Sequence, residues 1–154
     1  MTFHRKFNLE YNINGHILSQ STSCKDLGVL LTSTLSWSQH YDMITSKAYK
    51  SLGFLRRVFK NSHCAQARKS LYISIVRANL LYCSPLWGPY LLKDIDSLKR
   101  VQRHATKFIL SDYTSDYKTR LMQLSMLPLM YIYEIANIVF LLIPSKIHLQ
   151  GLTF

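Results

Sequence analysis

The 154-residue sequence predicts a mainly helical α+β protein, with a short antiparallel β-hairpin or meander at the N-terminus followed by a bundle of about four to five helices. Apolar and polar residues alternate between positions 7 and 13, as in a strand, whereas apolar residues from position 44 onward recur with the helical period. Hydrophobic residues make up 48% of the chain and charged residues 18%, so the chain can bury a core.

The N-terminal third is predicted to form strands. The alternation is that of a half-buried strand, with apolar residues at Phe7, Leu9, Tyr11 and Ile13. Asn14 and Gly15 then supply the two residues that tolerate positive φ in a type I′ hairpin turn. His16 to Thr22 would return antiparallel, and Leu27 to Leu31 would form a third short strand.

A first amphipathic helix is predicted from about Trp37 to Lys60, because Ser36 and Gln39 have the spacing of a capping box. Its apolar residues fall within one arc of a helical wheel. They are Ile44, Ala48, Leu52, Leu55 and Phe59. The opposite half of the wheel carries Lys47, Lys50, Arg56, Arg57 and Lys60.

A second helix, about Ala65 to Tyr82, is apolar on nearly every side, which predicts a buried helix. It ends before a turn at Ser84 to Pro89 that is punctuated by Pro and Gly. Ser115 is predicted to cap a later helix that ends at Leu124, and Leu129 to Ile143 is predicted to form the last one.

The third helix, about Asp94 to Leu110, is again amphipathic. Its apolar face comprises Ile95, Leu98, Val101, Ala105, Phe108 and Ile109. Its other face comprises Lys99, Arg100, Arg103, His104 and Lys107. Two helices with basic outer faces are therefore expected to flank a buried one.

The excess of positive charge lies in the centre of the chain. The 19 Lys and Arg residues outnumber the 8 Asp and Glu residues and give a net charge of +11. Residues 1–43 and 111–154 are each neutral overall, whereas residues 44–110 contain 13 basic and 2 acidic side chains. Such a concentration predicts a surface for a polyanion, because each neutralised phosphate releases counterions. The alternative is two solvated helix faces without a partner.

The candidate nucleic-acid contacts are the basic residues of the two amphipathic helices. They are Lys47, Lys50, Arg56, Arg57, Lys60, Lys99, Arg100, Arg103 and Lys107. Trp37 and Trp87 could stack on bases, but their positions at element boundaries favour a structural role, and the same holds for His40.

The sequence predicts no catalytic residues, no cofactor and no metal site. Asp94 and Asp96 are two residues apart on a helix and so point to different sides. The adjacent pair His63 and Cys64 has no orienting acid close by in the sequence. Glycines occur singly, so no phosphate-binding loop is predicted.

The three cysteines are an odd number at long spacings, which is unlike a disulfide framework or a zinc site. This spacing favours an intracellular reducing compartment, the cytoplasm or the nucleus. The apolar stretch from Leu127 to Ile143 is interrupted by Pro128, Glu134 and Asn137. It is therefore predicted to be a buried or partner-seeking helix rather than a membrane span.

A set of short motifs occurs in a fixed order along the chain. The motifs are Lys25-Asp26-Leu27-Gly28-Val29, Leu35-Ser36-Trp37, His40, Lys47-Ala48, Leu52-Gly53-Phe54-Leu55-Arg56-Arg57, Leu71-Tyr72, Val76-Arg77, Leu81-Tyr82-Cys83-Ser84-Pro85-Leu86-Trp87 and Val101-Gln102-Arg103-His104-Ala105-Thr106-Lys107-Phe108. Together they closely resemble the region downstream of the active site in reverse transcriptases of non-LTR retrotransposons, the jockey-like LINE group. The resemblance covers about residues 1–135.

The resemblance implies the end of a polymerase palm, a helical thumb and the start of a C-terminal segment. It implies the division into a palm-derived β-hairpin or meander at 1–35, a helical thumb-like domain with C-terminal helices at 36–144, and an unrelated or disordered tail at 145–154. A thumb of this family tracks the template–primer backbone, a role that carries over chiefly to Lys47, Arg56, Arg57, Arg103 and Lys107. The family's catalytic Asp-Asp motif lies upstream of anything in this sequence, so the chain alone is not expected to polymerise DNA.

Three functional hypotheses follow. The first is a non-catalytic fragment of an RNA-directed DNA polymerase that binds an RNA–DNA hybrid or duplex without sequence preference and takes no small-molecule substrate. The second is the C-terminal part of a longer product that is an active reverse transcriptase. The third is a helical interaction protein that uses the apolar C-terminal helix. Strands that would pair with the rest of a palm also predict self-association through an exposed strand edge.

Overall fold

The structure is a computed structural model that describes residues 11–19, 21–60 and 64–150. The described chain is mainly helical with two short antiparallel hairpins at its N-terminal end, which confirms the predicted fold class. It forms two compact units, Met1–Met43 and Ile44–Phe154, and the boundary between them falls within the first helix.

The first hairpin forms where the sequence predicts it. Strand β1 (Asn12–Ile13) pairs with β2 (His16–Ile17) across a turn in which Asn14 and Gly15 have φ of 50° and 82°. The predicted half-burial is wrong for the described part of the strand, because Tyr11 and Ile13 are both more than half exposed. A hairpin of only two residue pairs cannot bury either of its faces by itself. Phe7 and Leu9 lie outside the described residues.

A second hairpin replaces the single third strand that was predicted. Strand β3 (Ser23–Asp26) pairs with β4 (Val29–Thr32), with Asp26 opposite Val29. The predicted return strand from His16 accordingly stops at Ile17. The turn between β3 and β4 places Leu27 at φ 45° and Gly28 at φ 87°. Because leucine is unfavourable at positive φ, only Gly28 signals this turn in the sequence.

Helix α1 (Ser38–Val58) begins next to the predicted capping box, but with a different partner. The hydroxyl of Thr32 accepts a hydrogen bond from the N–H of Ser36 at 3.0 Å and donates one to the Ser36 carbonyl at 3.0 Å. Thr32 therefore takes the role that the capping-box pattern assigns to Gln39. The predicted apolar face is confirmed, because Ile44, Ala48, Leu52 and Leu55 are buried and Phe59 is partly buried.

His40 is a structural residue, as expected. It is buried one turn into α1, and its Nδ1 accepts a hydrogen bond from the N–H of Leu30 at 3.2 Å. Burial lowers the pKa of His40, which agrees with a neutral ring acting as acceptor. The Trp37 ring lies edge-on to it, with 6.1 Å between the ring centroids.

The remaining elements belong to the C-terminal unit. They are α2 (Ala65–Leu71), a π-helical stretch (Tyr72–Arg77), α3 (Ala78–Leu81), α4 (Ser84–Trp87), α5 (Leu92–Leu110), α6 (Tyr117–Gln123) and α7 (Leu129–Gln150). Helix α4 replaces the predicted turn after Tyr82, and Pro85 stands in its first turn, where proline is tolerated. The N-cap of α6 is Asp116 rather than Ser115, and its carboxylate accepts from the Lys118 N–H at 3.2 Å. Helix α7 includes residues 145–150, which the sequence assigns to the tail.

The helical run from Ala65 to Leu81 is not buried on all sides, so that prediction is wrong. Ile73 and Ile75 are each 38% exposed. The core instead receives one stripe at four-residue spacing, made of Arg68, Tyr72, Val76 and Leu80. In a regular α-helix, residues spaced four apart shift gradually around the helix axis. The π-helical stretch has i→i+5 hydrogen bonds and more residues per turn, which reduces this shift and keeps the four side chains on one side.

Trp87 belongs to the core, which confirms its structural interpretation. Its indole N–H donates to the Tyr82 carbonyl at 3.0 Å, and its ring lies edge-on to Tyr133 with 5.8 Å between centroids. The Tyr133 hydroxyl in turn donates to the Leu80 carbonyl at 2.9 Å. These contacts join α4 and α7 to the end of α3.

Two buried polar side chains connect helices that are distant in sequence. The Arg68 guanidinium donates to the Phe108 carbonyl at 3.0 Å and to the Ser111 hydroxyl at 2.6 Å. A side chain of α2 therefore supplies a hydrogen-bond donor to a carbonyl in the last turn of α5. Gln102 is fully buried on α5. Its amide nitrogen donates to the Leu127 carbonyl at 3.0 Å, and its amide oxygen accepts from the Leu129 N–H at 2.9 Å and the Tyr117 hydroxyl at 2.7 Å.

Replacing Gln102 with Leu is expected to lower the free energy of unfolding by about 2–4 kcal/mol, because the buried Leu129 N–H and the partly buried Leu127 carbonyl lose their hydrogen-bond partner. Urea denaturation followed by circular dichroism measures the loss. Gln123→Leu, at an exposed position of α6, is the matched control and should change the free energy by less than about 0.5 kcal/mol. Equal losses in the two variants would contradict a special role for Gln102.

Candidate nucleic-acid interface

Helix α5 presents a basic stripe to solvent. Arg100, Arg103, His104 and Lys107 follow one another at the spacings that place side chains on one side of a helix. Arg100, Arg103 and His104 are exposed and Lys107 is partly exposed, while Leu98, Val101, Ala105 and Phe108 are buried on the other side. Lys99 is also partly exposed. The predicted division of α5 into an apolar and a basic face is confirmed.

The basic faces of α1 and α5 meet at Arg56 and His104. The Arg56 guanidinium donates to the main-chain carbonyl of His104 at 3.1 Å. Tyr49, on the same side of α1, has its ring 5.7 Å from the imidazole of His104, centroid to centroid. Arg56 of α1 therefore adds its positive charge to the basic stripe of α5.

The structure does not bring all the predicted α1 residues to this junction. Lys47, Lys50, Arg57 and Lys60 are exposed. The spacing of nine residues places Lys47 on the opposite side of α1 from Arg56, whereas Lys60 follows Arg56 by about one turn. Arg56 thus adjoins α5, Lys60 lies two residues past the end of α1, and the other three lie farther around the helix.

A pocket of about 680 Å³ adjoins the stripe where the chain passes from α5 into α6. One wall is the α5 stripe, and the other wall includes Tyr113, Tyr117 and Arg120. The Arg103 guanidinium lies over the ring of Tyr117, 5.4 Å from its centroid. These three residues were not predicted from the sequence, because no spacing pattern links them to α5 and only the tertiary fold brings them there.

The loop between α5 and α6 is held by Asp112. Its carboxylate accepts hydrogen bonds from the Thr114 N–H at 2.9 Å, the Thr114 hydroxyl at 3.0 Å and the Ser115 N–H at 3.0 Å. Hydrogen bonds from the Ser115 side chain and from the amides of Ser115 and Thr114 hold the pKa of this carboxyl well below its usual range. An ionised Asp112 therefore stabilises the loop that forms one side of the pocket.

The electrostatic environment of the junction disfavours further positive charge. Burial lowers the pKa of His104, and the neighbouring cations Arg56 and Lys107 lower it further. A histidine whose protonation is opposed by nearby cations lies at positive potential, which is the potential an anion requires.

The residues considered for catalysis stay apart. Asp94 is buried and Asp96 is exposed, so the two carboxylates do point to different sides. Within the described residues, no three His, Cys, Asp or Glu side chains come together to hold a metal ion. Cys24, Cys64 and Cys83 are exposed, and none of them forms a disulfide. His63 lies outside the described residues.

No protein-family profile matches this chain, and no match was found among curated proteins or solved structures. The basic surface and the ordered motifs of the sequence are therefore the observations that bear on function. Among the described helices, none combines the length and the apolarity needed to cross a membrane.

The Arg56→Gln variant is expected to raise the pKa of His104, because it removes one of the two cations that oppose protonation of the ring. An NMR titration of the imidazole protons measures the shift. Arg57→Gln removes the same charge from the same helix and is the matched control, which should leave the pKa of His104 nearly unchanged. Equal shifts in both variants would contradict a specific junction between Arg56 and His104.

Proposed function

We propose that this chain is a non-catalytic, thumb-like module of a non-LTR retrotransposon polymerase that binds the backbone of an RNA–DNA hybrid or duplex without sequence preference. The observation that carries the proposal is the basic stripe of α5, which Arg56 of α1 joins through its hydrogen bond to the His104 carbonyl. The ordered motifs shared with jockey-like reverse transcriptases support the same partner.

The dimensions of the α5 stripe suit a phosphate backbone. From Arg100 to Lys107 the helix rises by about 10 Å. One strand of a duplex carries about three phosphates over that length, at roughly 3.4 Å of helix axis each. Lysine and arginine side chains on an exposed helix face reach phosphates without reading base edges, which favours binding that is independent of sequence.

The affinity should be modest and strongly dependent on salt. Dissociation constants on the order of 10⁻⁴ to 10⁻⁶ M are expected at physiological salt, because non-specific binding rests on the release of counterions. Affinity that stays constant between low and physiological salt would contradict the proposal.

The triple variant Lys99→Gln, Arg103→Gln, Lys107→Gln is expected to weaken binding to every duplex sequence alike. Affinity should also become less dependent on salt. The magnitude of the negative slope of log affinity against log salt should decrease by about 2–3, because each lost phosphate contact removes about 0.9 from it. Fluorescence anisotropy with labelled duplexes of different sequence measures both quantities across a salt series.

The matched control is Lys25→Gln, Lys69→Gln, Arg77→Gln, which removes the same net charge from β3, α2 and the π-helical stretch and none from α5. This control variant should retain most of the salt dependence of the wild-type chain. Equal weakening by the two triple variants would show that only net charge matters, and loss of binding to one sequence alone would indicate base readout.

A second candidate function is association through α7, which we propose for one specific reason. Six consecutive apolar residues, Ile138 to Ile143, are between 48% and 72% exposed. An apolar surface of this kind commonly marks an interaction site. Because every copy of the chain carries it, the occupant we propose is the same helix of a second copy.

The double variant Phe140→Ser, Leu141→Ser is expected to reduce self-association, since it places hydroxyls on the most exposed part of this segment. Light scattering across a concentration series measures the mass. A wild-type chain that stays monomeric at all concentrations would remove this candidate. An unchanged mass of the variant, in a wild type that does associate, would point to the hairpin strand edges instead.

A further inference from the structure

The pocket between α5 and α6 collects cations from two helices. Arg100, Arg103 and Lys107 reach it from α5, and Arg120 reaches it from α6. Its volume of about 680 Å³ lies in the range of pockets that enclose a small organic ligand. This concave site differs from the helix face beside it because side chains from two helices and the intervening loop converge on it.

Two of these cations are held in place by the fold. Arg120 is 3% exposed, and its Nε donates to the Thr106 hydroxyl at 3.3 Å while another guanidinium nitrogen donates to the Ser115 carbonyl. Arg103 stacks on Tyr117, whose hydroxyl donates to the buried amide of Gln102. Groups that are already oriented lose little entropy when an anion binds, which strengthens the site.

The charge balance of the pocket is strongly positive. Among the residues that line it, the one carboxylate is that of Asp116, which accepts a hydrogen bond from the Lys118 N–H as the N-cap of α6. Four Arg and Lys side chains therefore face a single, already engaged acid. His104 completes the α5 wall beside them.

The pocket also has an exposed aromatic ring. Tyr113 lines it and is 66% exposed, so its ring is accessible to a planar ligand. Stacking on tyrosine suits any nucleobase, because every base has a π face.

We infer that the α5–α6 pocket binds the phosphomonoester of a nucleotide among Arg100, Arg103, Lys107 and Arg120, with the base stacked on Tyr113. A phosphomonoester carries a charge of roughly −1.5 to −2 at neutral pH and so gains more from several converging cations than an internal phosphodiester does. The source is either a free nucleotide or the 5′-phosphorylated end of a strand. The inference rests on the proposed binding of nucleic acid, to which it adds a site for one nucleotide.

The test uses the full chain and defined probes. AMP, adenosine and inorganic phosphate are titrated by calorimetry, and single-stranded oligonucleotides with a 5′-phosphate or a 5′-hydroxyl are compared by anisotropy. AMP should bind at least about fivefold more tightly than inorganic phosphate, because the base adds a stacking contact. Adenosine, which lacks the phosphate, should not bind measurably.

Two variants separate the contributions of base and phosphate. Tyr113→Ala should weaken AMP by about fivefold or more and leave inorganic phosphate within twofold. Lys107→Gln should weaken AMP and inorganic phosphate alike. Tyr90→Ala, at another exposed tyrosine outside the pocket, is the control and should change neither affinity.

The outcomes identify the source and distinguish the two proposals. Tighter binding of the 5′-phosphorylated strand assigns the pocket to strand ends, and AMP binding without that preference assigns it to free nucleotides. The chain could instead bind duplexes in a salt-dependent way but prefer neither AMP over inorganic phosphate nor a 5′-phosphate over a 5′-hydroxyl. That result would overturn nucleotide binding by the pocket and leave the proposed function standing. AMP binding in a chain that binds no duplex supports the pocket and overturns the proposed function.

Discussion

The arrangement of the C-terminal unit depends on one fully buried amide, that of Gln102. Its three hydrogen bonds join α5 to Leu127, two residues before α7, to the first residue of α7 and to Tyr117 at the start of α6. An amide in this position must find all its partners, because burial removes the water that would otherwise replace them. The apolar contacts around it are non-directional, so the amide is what specifies how the later elements meet α5.

The candidate interface depends on the same constraint. The Tyr117 hydroxyl donates a hydrogen bond to the Gln102 amide oxygen, and the Arg103 guanidinium lies over the Tyr117 ring. Four residues beyond Gln102 on α5, the Thr106 hydroxyl accepts a hydrogen bond from the buried Arg120. The inner side of α5 thus bears neutral polar groups that position Arg103 and Arg120, while its outer side bears the cations of the proposed nucleic-acid surface. On the opposite flank, α1 joins the surface through Arg56.

The sequence predicts the elements whose signal is local. The faces of α1 and α5 follow from the helical period, and the first hairpin follows from Asn14 and Gly15. The second hairpin is missed because Leu27 is a poor signal for a positive φ. The sequence predicts a helix buried on nearly every side between Ala65 and Leu81, whereas only one stripe of it is buried. Composition alone does not show which residues of an apolar helix contact the core. Arg120, Tyr117 and Gln102 have no periodic signal, since their roles arise only when α6 packs on α5.

The central claim is that nucleic acid lies along the joined basic faces of α5 and the end of α1. Lysine acetylation of the full chain, with and without a saturating RNA–DNA hybrid and quantified by peptide mass spectrometry, tests this claim directly. We predict strong protection of Lys99, Lys107 and Lys60 and little protection of Lys25, which is exposed on β3 and does not belong to the proposed surface. Equal protection of all four lysines, or protection of Lys25 alone, would contradict it.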